Sequence, residues 1–231
     1  MANTAEQVTD GLAPLHSRNY QVEAFRRSPQ EFVLIGSIID RKPGGYFIET
    51  DPEPFTLHHM VVELTVSYPD LVIVGSDVTF NTFPQELCPA IAGRYGDLVG
   101  ISIARGFTHQ VRERFGGPRG CSHTTALLQA MAPVAVQCIW SMVTLARREA
   151  QGAAAGSPAA AVSPAPPAVS SDLRDTVRFS INSCHVWDED GDFYRAVRDG
   201  TRQVTPMLPL RARLEELGVD PEQWAREHPG G

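Results

Sequence analysis

The chain has 231 residues, four cysteines and a formal net charge of −7, a length that suits one domain of roughly 150 residues with appendages, or two small ones. An acidic balance with no basic block excludes a Lys/Arg-rich nucleic-acid-binding face, and four cysteines in a chain this long are not a disulfide framework. No apolar run approaches the length of a membrane span, and Met1 to Gln7 has neither the basic start nor the apolar stretch of a secretory signal, so the expectation is a soluble cytoplasmic protein whose cysteines are free for packing, metal or catalysis.

Residues 1–15 are polar and expected to be frayed. From His16 the pattern turns strand-like, and Glu31 to Asp40 is an apolar run rich in β-branched residues. Arg41 to Gly45 reads as a turn, Tyr46 to Glu49 as a short return strand, and Asp51 to Pro54 as a breaker. Met60 to Ser67 alternates around Val62, Leu64 and Val66, Tyr68-Pro69-Asp70 turns the chain, and Leu71 to Phe80 runs back. A turn this short makes the pair antiparallel.

Helical patterns follow. Pro84 to Leu98 can carry one helix, closed by Gly100. Arg105 to Phe115 fits a second, with Phe107, Val111 and Phe115 at four-residue spacing. A long third helix is expected over Ser122 to Glu149, with Ser122 or Thr124 as its cap and Pro133 as a point of kinking. Residues 151–171 are almost entirely Ala, Gly, Ser, Pro and Val and read as a linker. Thr176 to Trp187 reads as a strand, Asp188 to Gly191 as a turn with a short return, and Pro209 to Leu217 and Pro221 to Glu227 as helices. The expected organisation is a main domain over 16–150 and a segment, 172–231, too short to fold alone and docked on it.

The chemistry concentrates between Gly116 and Leu128. A Gly/Pro-rich loop ends at Cys121 and a long apolar helical pattern begins at once, so Cys121 and His123 sit at a helix start, where unpaired N–H groups favour negative charge. A thiol and an imidazole held there are what a metal site or a nucleophilic reaction needs; the bland alternative for this pair is a packing cysteine beside a cap histidine. Cys88 also follows strand and loop and opens a helix. His58 and His59 are neighbours on a strand and face opposite ways, so at most one joins a shared site, and His58 is the candidate. His109 belongs to a solvated helix face, and Cys138 to the core. Cys184 and His185 also point to opposite faces of their strand. Asp188 and Asp190 lack the glutamate of a calcium loop. The expected metal set is therefore His58, Cys88, Cys121 and His123, a soft-plus-imidazole composition that suits zinc or iron, with His123 as the catalytic candidate.

Two resemblances rest on these residues. Leu57-His58-His59-Met60, Cys88-Pro89-Ala90-Ile91, Leu98-Val99-Gly100, Val111-Arg112-Glu113-Arg114 and Gly120-Cys121-Ser122-His123-Thr124, in that order, resemble a bacterial family known as domain of unknown function 2889. More distantly, Val78 to Phe83 leading into Cys88-Pro89-Ala90-Ile91-Ala92, and Arg119 to Thr124, resemble the iron–sulfur cluster scaffold family. That resemblance implies a scaffold-like α+β fold with metal on Cys88 and Cys121, and with His58 standing where the family has an aspartate. The scaffold's leading cysteine has no counterpart, since Thr56 or Leu57 stands there, which points to a mononuclear site rather than a cluster.

The expectation is thus an α+β protein with an antiparallel sheet and helices on one face. It binds zinc or iron, and acts on a small molecule, as a metal-dependent enzyme, or on a partner protein, as a metal or sulfur carrier. A metal-free binding module is the third possibility.

Overall fold

In a computed structural model the described residues are 11–154, 181, 187–202 and 208–227. They divide into two compact units, Met1–Ala135 and Val136–Gly231. The first is built on a four-stranded antiparallel sheet of β1 (Ser17–Ser28), β2 (Glu31–Lys42), β3 (Phe55–Ser67) and β4 (Ile73–Thr82), paired in chain order. The α+β expectation holds.

Alternation decides the two faces of the sheet. Phe32, Leu34, Gly36, Ile38 and Asp40 of β2 pair in register with Val66, Leu64, Val62, Met60 and His58 of β3. All five β2 side positions are buried, as are the four apolar β3 partners. One row across both strands therefore runs from apolar to polar, and it ends on Asp40 and His58. The opposite face carries Ser37, Ile39, His59 and Val61. There, His59 Nε2 lies 3.4 Å from Ser37 Oγ, so the two adjacent histidines do diverge.

Beyond β4 the expected single helix is an eleven-residue 3-10 segment, Cys88–Leu98. Its bonds close over three residues, as in Ala90 N–H to Leu87 O and Val99 N–H to Gly96 O. Pro89 in the first turn and two glycines, at 93 and 96, leave little propensity for a wider α-helical turn. Helix α1 (Phe107–Phe115) buries Phe107, Val111 and Phe115, the stripe its spacing calls for. Helix α2 runs from Ser122 to Ala154 with Pro133 inside it, past the expected end at Glu149. Its stretch Ser122–Ala150 is long and apolar enough to cross a membrane by length and composition, which counting unbroken apolar runs did not anticipate. Leu127, Leu128, Met131 and Ala135 on it are nonetheless buried within the protein.

Tyr46 to Glu49 is turn and bend rather than a return strand. β2 already pairs with the whole of β3 up to Lys42–Phe55, so those residues have no strand left to join. In the second unit Asp188 to Gly191 leads into α3 (Asp192–Arg198), a helix where a short return was expected. Trp187 meets Phe193 edge to face at 5.2 Å, and Val197 is buried. Helices α4 (Leu208–Glu216) and α5 (Pro221–Glu227) are joined by Arg211–Glu222 at 2.6 Å. Residues 155–171 of the expected linker, and Cys184 and His185, lie outside the described residues.

Candidate metal centre

Three side chains from three elements converge at the polar end of the buried row. Asp40 comes from β2 and His58 from β3, side by side in register. His123 comes from the first turn of α2, and the helix repeat explains its arrival. Positions 123, 127 and 131 share one helix face. A Cβ placed on Gly36 would lie 2.7 Å from Met131 Sδ and 3.1 Å from Leu127 Cδ1, so α2 crosses the sheet closely at Gly36. One turn back from Leu127 sets His123 over the Asp40–His58 pair. The glycine at 36 is what permits that approach.

The helix start is held firmly. Thr125 N–H donates to Cys121 O at 2.9 Å, so Cys121, not Ser122 or Thr124, occupies the capping position. Cys121 N–H donates to the hydroxyl of Tyr95 at 2.8 Å. Tyr95 is 1% exposed and stacks on Phe115 with ring centres 4.9 Å apart. Thr125 Oγ1 donates to Phe115 O at 3.2 Å. At Gly120 a Cβ would fall 2.4 Å from Phe115 O, so only glycine fits there. The Gly116–Gly120 loop thus ties the end of α1 to the start of α2.

Irregularity in the sheet aims His58. The β2–β3 register shifts between Asp40 and Arg41, leaving Leu57 as an extra residue, and the β3–β4 register shifts between His59 and Met60. Bulges next to a site re-aim side chains.

Asp40 is 1% exposed and organises the cluster. Arg18 of β1 grips it with two bonds, Nε to Oδ1 at 2.6 Å and Nη2 to Oδ2 at 2.7 Å. His58 Nδ1 lies 3.2 Å and His123 Nε2 3.0 Å from Oδ2. The two imidazoles stack with centres 3.9 Å apart and planes 29° from parallel. His16, just before β1, stands 3.6 Å from Oδ1 and is 35% exposed, on the open side of the group. One ligand atom from each of Asp40, His58 and His123 lies within 4.8 Å of the others.

The charge states suit a cation. Burial alone would raise the Asp40 carboxyl, but the Arg18 guanidinium outweighs it and brings the value down to about 2. Burial pushes both imidazoles below 6.5, and for His58 the neighbouring His123 adds to the effect. Asp40 is thus a carboxylate and the histidines are neutral, the forms in which these groups bind metal. A metal about 2.0–2.2 Å from each ligand sets ligand–ligand edges of roughly 3.0–3.5 Å, which the 3.0 and 3.2 Å separations match. His58 Nδ1 is buried and, despite its proximity to Oδ2, makes no aligned hydrogen bond.

Of the residues expected from the sequence, the structure brings His58 and His123 together. Cys121 Sγ lies 3.7 Å from His123 Nδ1, on the far side of that ring from Asp40. It touches a candidate ligand and is not itself in the converging group. Cys88 is half-buried at the start of the 3-10 segment and also stays outside the group. Asp40, Arg18 and His16 were missed. Asp40 sits at the end of an apolar strand, where an acidic residue reads as the start of a turn. A carboxylate in the inward phase of the strand, in step with Ile38 and Leu34, was the available signal.

A family model described as protein of unknown function, DUF2889, matches residues 16–137. The chain belongs to that family. The DUF2889 span holds every residue of the cluster, from His16 to His123. No curated protein matches the chain, and no solved structure does. The resemblance to iron–sulfur scaffolds gains no support from either comparison.

Proposed function

We propose that this DUF2889 protein is a metal-dependent enzyme with a mononuclear site on Asp40, His58 and His123. The observation that carries the reading is the convergence of one carboxylate oxygen and two imidazole nitrogens, each nitrogen 3.0–3.2 Å from the same Asp40 oxygen and all within 4.8 Å of one another. Two histidines and one carboxylate make the donor set both of zinc hydrolases and of non-haem iron(II) enzymes, with coordination positions left for water or substrate. Zinc or iron is therefore the proposed cofactor. Such a metal supplies Lewis acidity, polarising a carbonyl or lowering the pKa of water.

The chain's own residues have separable tasks. Arg18 holds Asp40 as an oriented carboxylate. In the Nδ1–H tautomer His123 donates to Cys121 Sγ, 3.7 Å away, and Nε2 is left bare for the metal, as outer partners of ligand histidines do. His123 is then a ligand, and the residue placed to move protons is His16, at the open edge. The proposed substrate is a small molecule, and the proposed location is the cytoplasm.

The test is metal content of untagged protein and of three variants. Near one equivalent of zinc or iron in the wild type, lost in Asp40→Asn and His58→Ala and kept in Cys88→Ser, supports the site. No metal in folded wild-type protein under any loading condition refutes it.

A second reading is favoured by one alignment. Cys121 Sγ, His123 Nδ1, His123 Nε2 and Asp40 Oδ2 follow one another at 3.7 Å and 3.0 Å across the ring, the order of a nucleophile, a base and its orienting carboxylate. Iodoacetamide modifying Cys121 faster than Cys88, insensitive to chelator and slowed by Asp40→Asn, would favour this reading over metal.

A further inference from the structure

The loop between β2 and β3, Pro43 to Pro54, presents large apolar side chains to solvent: Tyr46, Phe47, Ile48 and the adjoining Phe55 are each at least half exposed. Exposure of this kind in one continuous group marks a binding site more often than chance. The loop is built rather than slack. Gly45 N–H donates to Asp51 O at 2.6 Å, Asp51 N–H to Ile48 O at 3.0 Å, and Glu53 N–H to Asp51 Oδ1 at 3.1 Å. Phe47 meets Tyr46 edge to face at 4.8 Å and Phe55 at 5.1 Å. Together they line a half-open, mostly apolar pocket of about 170 Å³, with Asp51 and Glu53 also on its wall. An apolar cavity of about 150 Å³ is known to hold one benzene molecule, so this one has room for a single six-membered ring. Ring edges meeting ring faces is also the geometry in which a further aromatic ring packs best.

The cavity adjoins the metal centre. Asp40 pairs with His58, and Lys42 pairs with Phe55 two residues further along β2, about 7 Å along the strand. A chain of contacts spans the interval. His16 lies 3.6 Å from Asp40 Oδ1, Lys42 Nζ donates to Leu15 O at 3.4 Å, and the same Nζ sits 4.7 Å above the ring of Tyr46.

We infer that this loop is the substrate pocket of the metal site, and that it seats a single aromatic ring whose reactive substituent reaches back past Lys42 and His16. The inference rests on the metal reading for the second half of that statement only. The ring pocket and the metal are separately testable.

The probe is p-cresol, followed by its proton resonances as full-length protein is added, with and without cobalt(II) loading. A molecule of this size in such a pocket is expected to bind with a Kd on the order of 1 mM. Phe47→Ala, at an exposed position, should keep its circular dichroism spectrum and weaken binding by roughly tenfold through loss of the central ring. In cobalt-loaded wild type the bound p-cresol should relax faster, and Asp40→Asn should abolish that enhancement without abolishing binding. Unsaturable binding, or equal binding to Phe47→Ala, overturns the pocket. Saturable binding with no cobalt enhancement in protein that holds cobalt overturns its link to the site. Binding of the wild type to phosphatidylcholine vesicles in place of p-cresol overturns it in favour of a docking loop. If the protein takes no cobalt but p-cresol binding persists and depends on Phe47, the ring pocket stands and the metal reading falls.

Discussion

The same two strands and the same helix meet at two places with opposite outcomes. At Gly36 the row is dry: Leu34, Ile38, Val62 and Leu64 from the sheet and Leu127 and Met131 from α2 are buried with no polar group among them. Two register steps along, the same face presents Asp40 and His58, and one helix turn back α2 presents His123. The first place stabilises by removing apolar surface from water. The second buries a carboxylate and two imidazoles, which costs free energy unless each is paired. Arg18 pairs one of them. Among the described residues the other two face each other, Asp40 and, for His123, Cys121. The lesson is a division of labour: the dry end fixes the crossing of α2 over the sheet, and that crossing carries His123 to the polar end.

That division can be broken from either side. The largest effect on stability is expected at the dry end. Leu64→Ala removes a fully buried side chain and should cost about 2–5 kcal/mol in urea unfolding, with metal stoichiometry of the folded fraction unchanged. Gly36→Leu overfills the crossing and should cost about 1–3 kcal/mol. It should also weaken metal binding, because it lifts the helix that carries His123. A Gly36→Leu variant with unaltered metal affinity would show that the two ends are not coupled.

At the polar end, Cys121→Ala removes the Nδ1 partner of His123 and should lower metal affinity by roughly tenfold, measured by competition with a chromogenic chelator. Fold stability should move far less. Acidification separates the ends as well. His58 and His123 are held below 6.5, so the unfolded chain takes up their protons first. Their contribution is complete above 6.5 and declines as pH falls below it. Asp40, held at about 2 against an ordinary 3.8, contributes fully above the ordinary value and loses that contribution as pH falls through the folded one. Thermal midpoints across this range should fall in those two steps, and His58→Ala should erase part of the first. The smallest effect is expected at His59, on the opposite face. His59→Ala should change stability by no more than about 0.5 kcal/mol and leave metal binding intact.

Much of the scaffold is local in origin and so was legible. The Val62-Leu64-Val66 alternation, the Phe107-Val111-Phe115 stripe, the start of the long helix after Gly120 and the opposed directions of His58 and His59 all follow from short-range periodicity. What eluded it was irregular backbone: the 3-10 segment over Cys88–Leu98, where prolines and glycines leave no clear period, and the Tyr46–Glu49 turn, whose strand-like residues have no edge to pair with. Cys121 as a helix cap was likewise hidden, because its backbone position depends on Tyr95, 26 residues earlier.

By itself the sequence determined that His58 and His123 are chemical candidates, that one sits on a strand and the other at a helix start, and that the chain carries DUF2889 motifs. Only the tertiary structure placed Asp40 beside both of them, with Cys121 against the other edge of the His123 ring. Strand register places Asp40 opposite His58, and the close passage of α2 over Gly36 carries His123 to both. Register and helix crossing are set by contacts between residues far apart in the chain, and no local pattern encodes them.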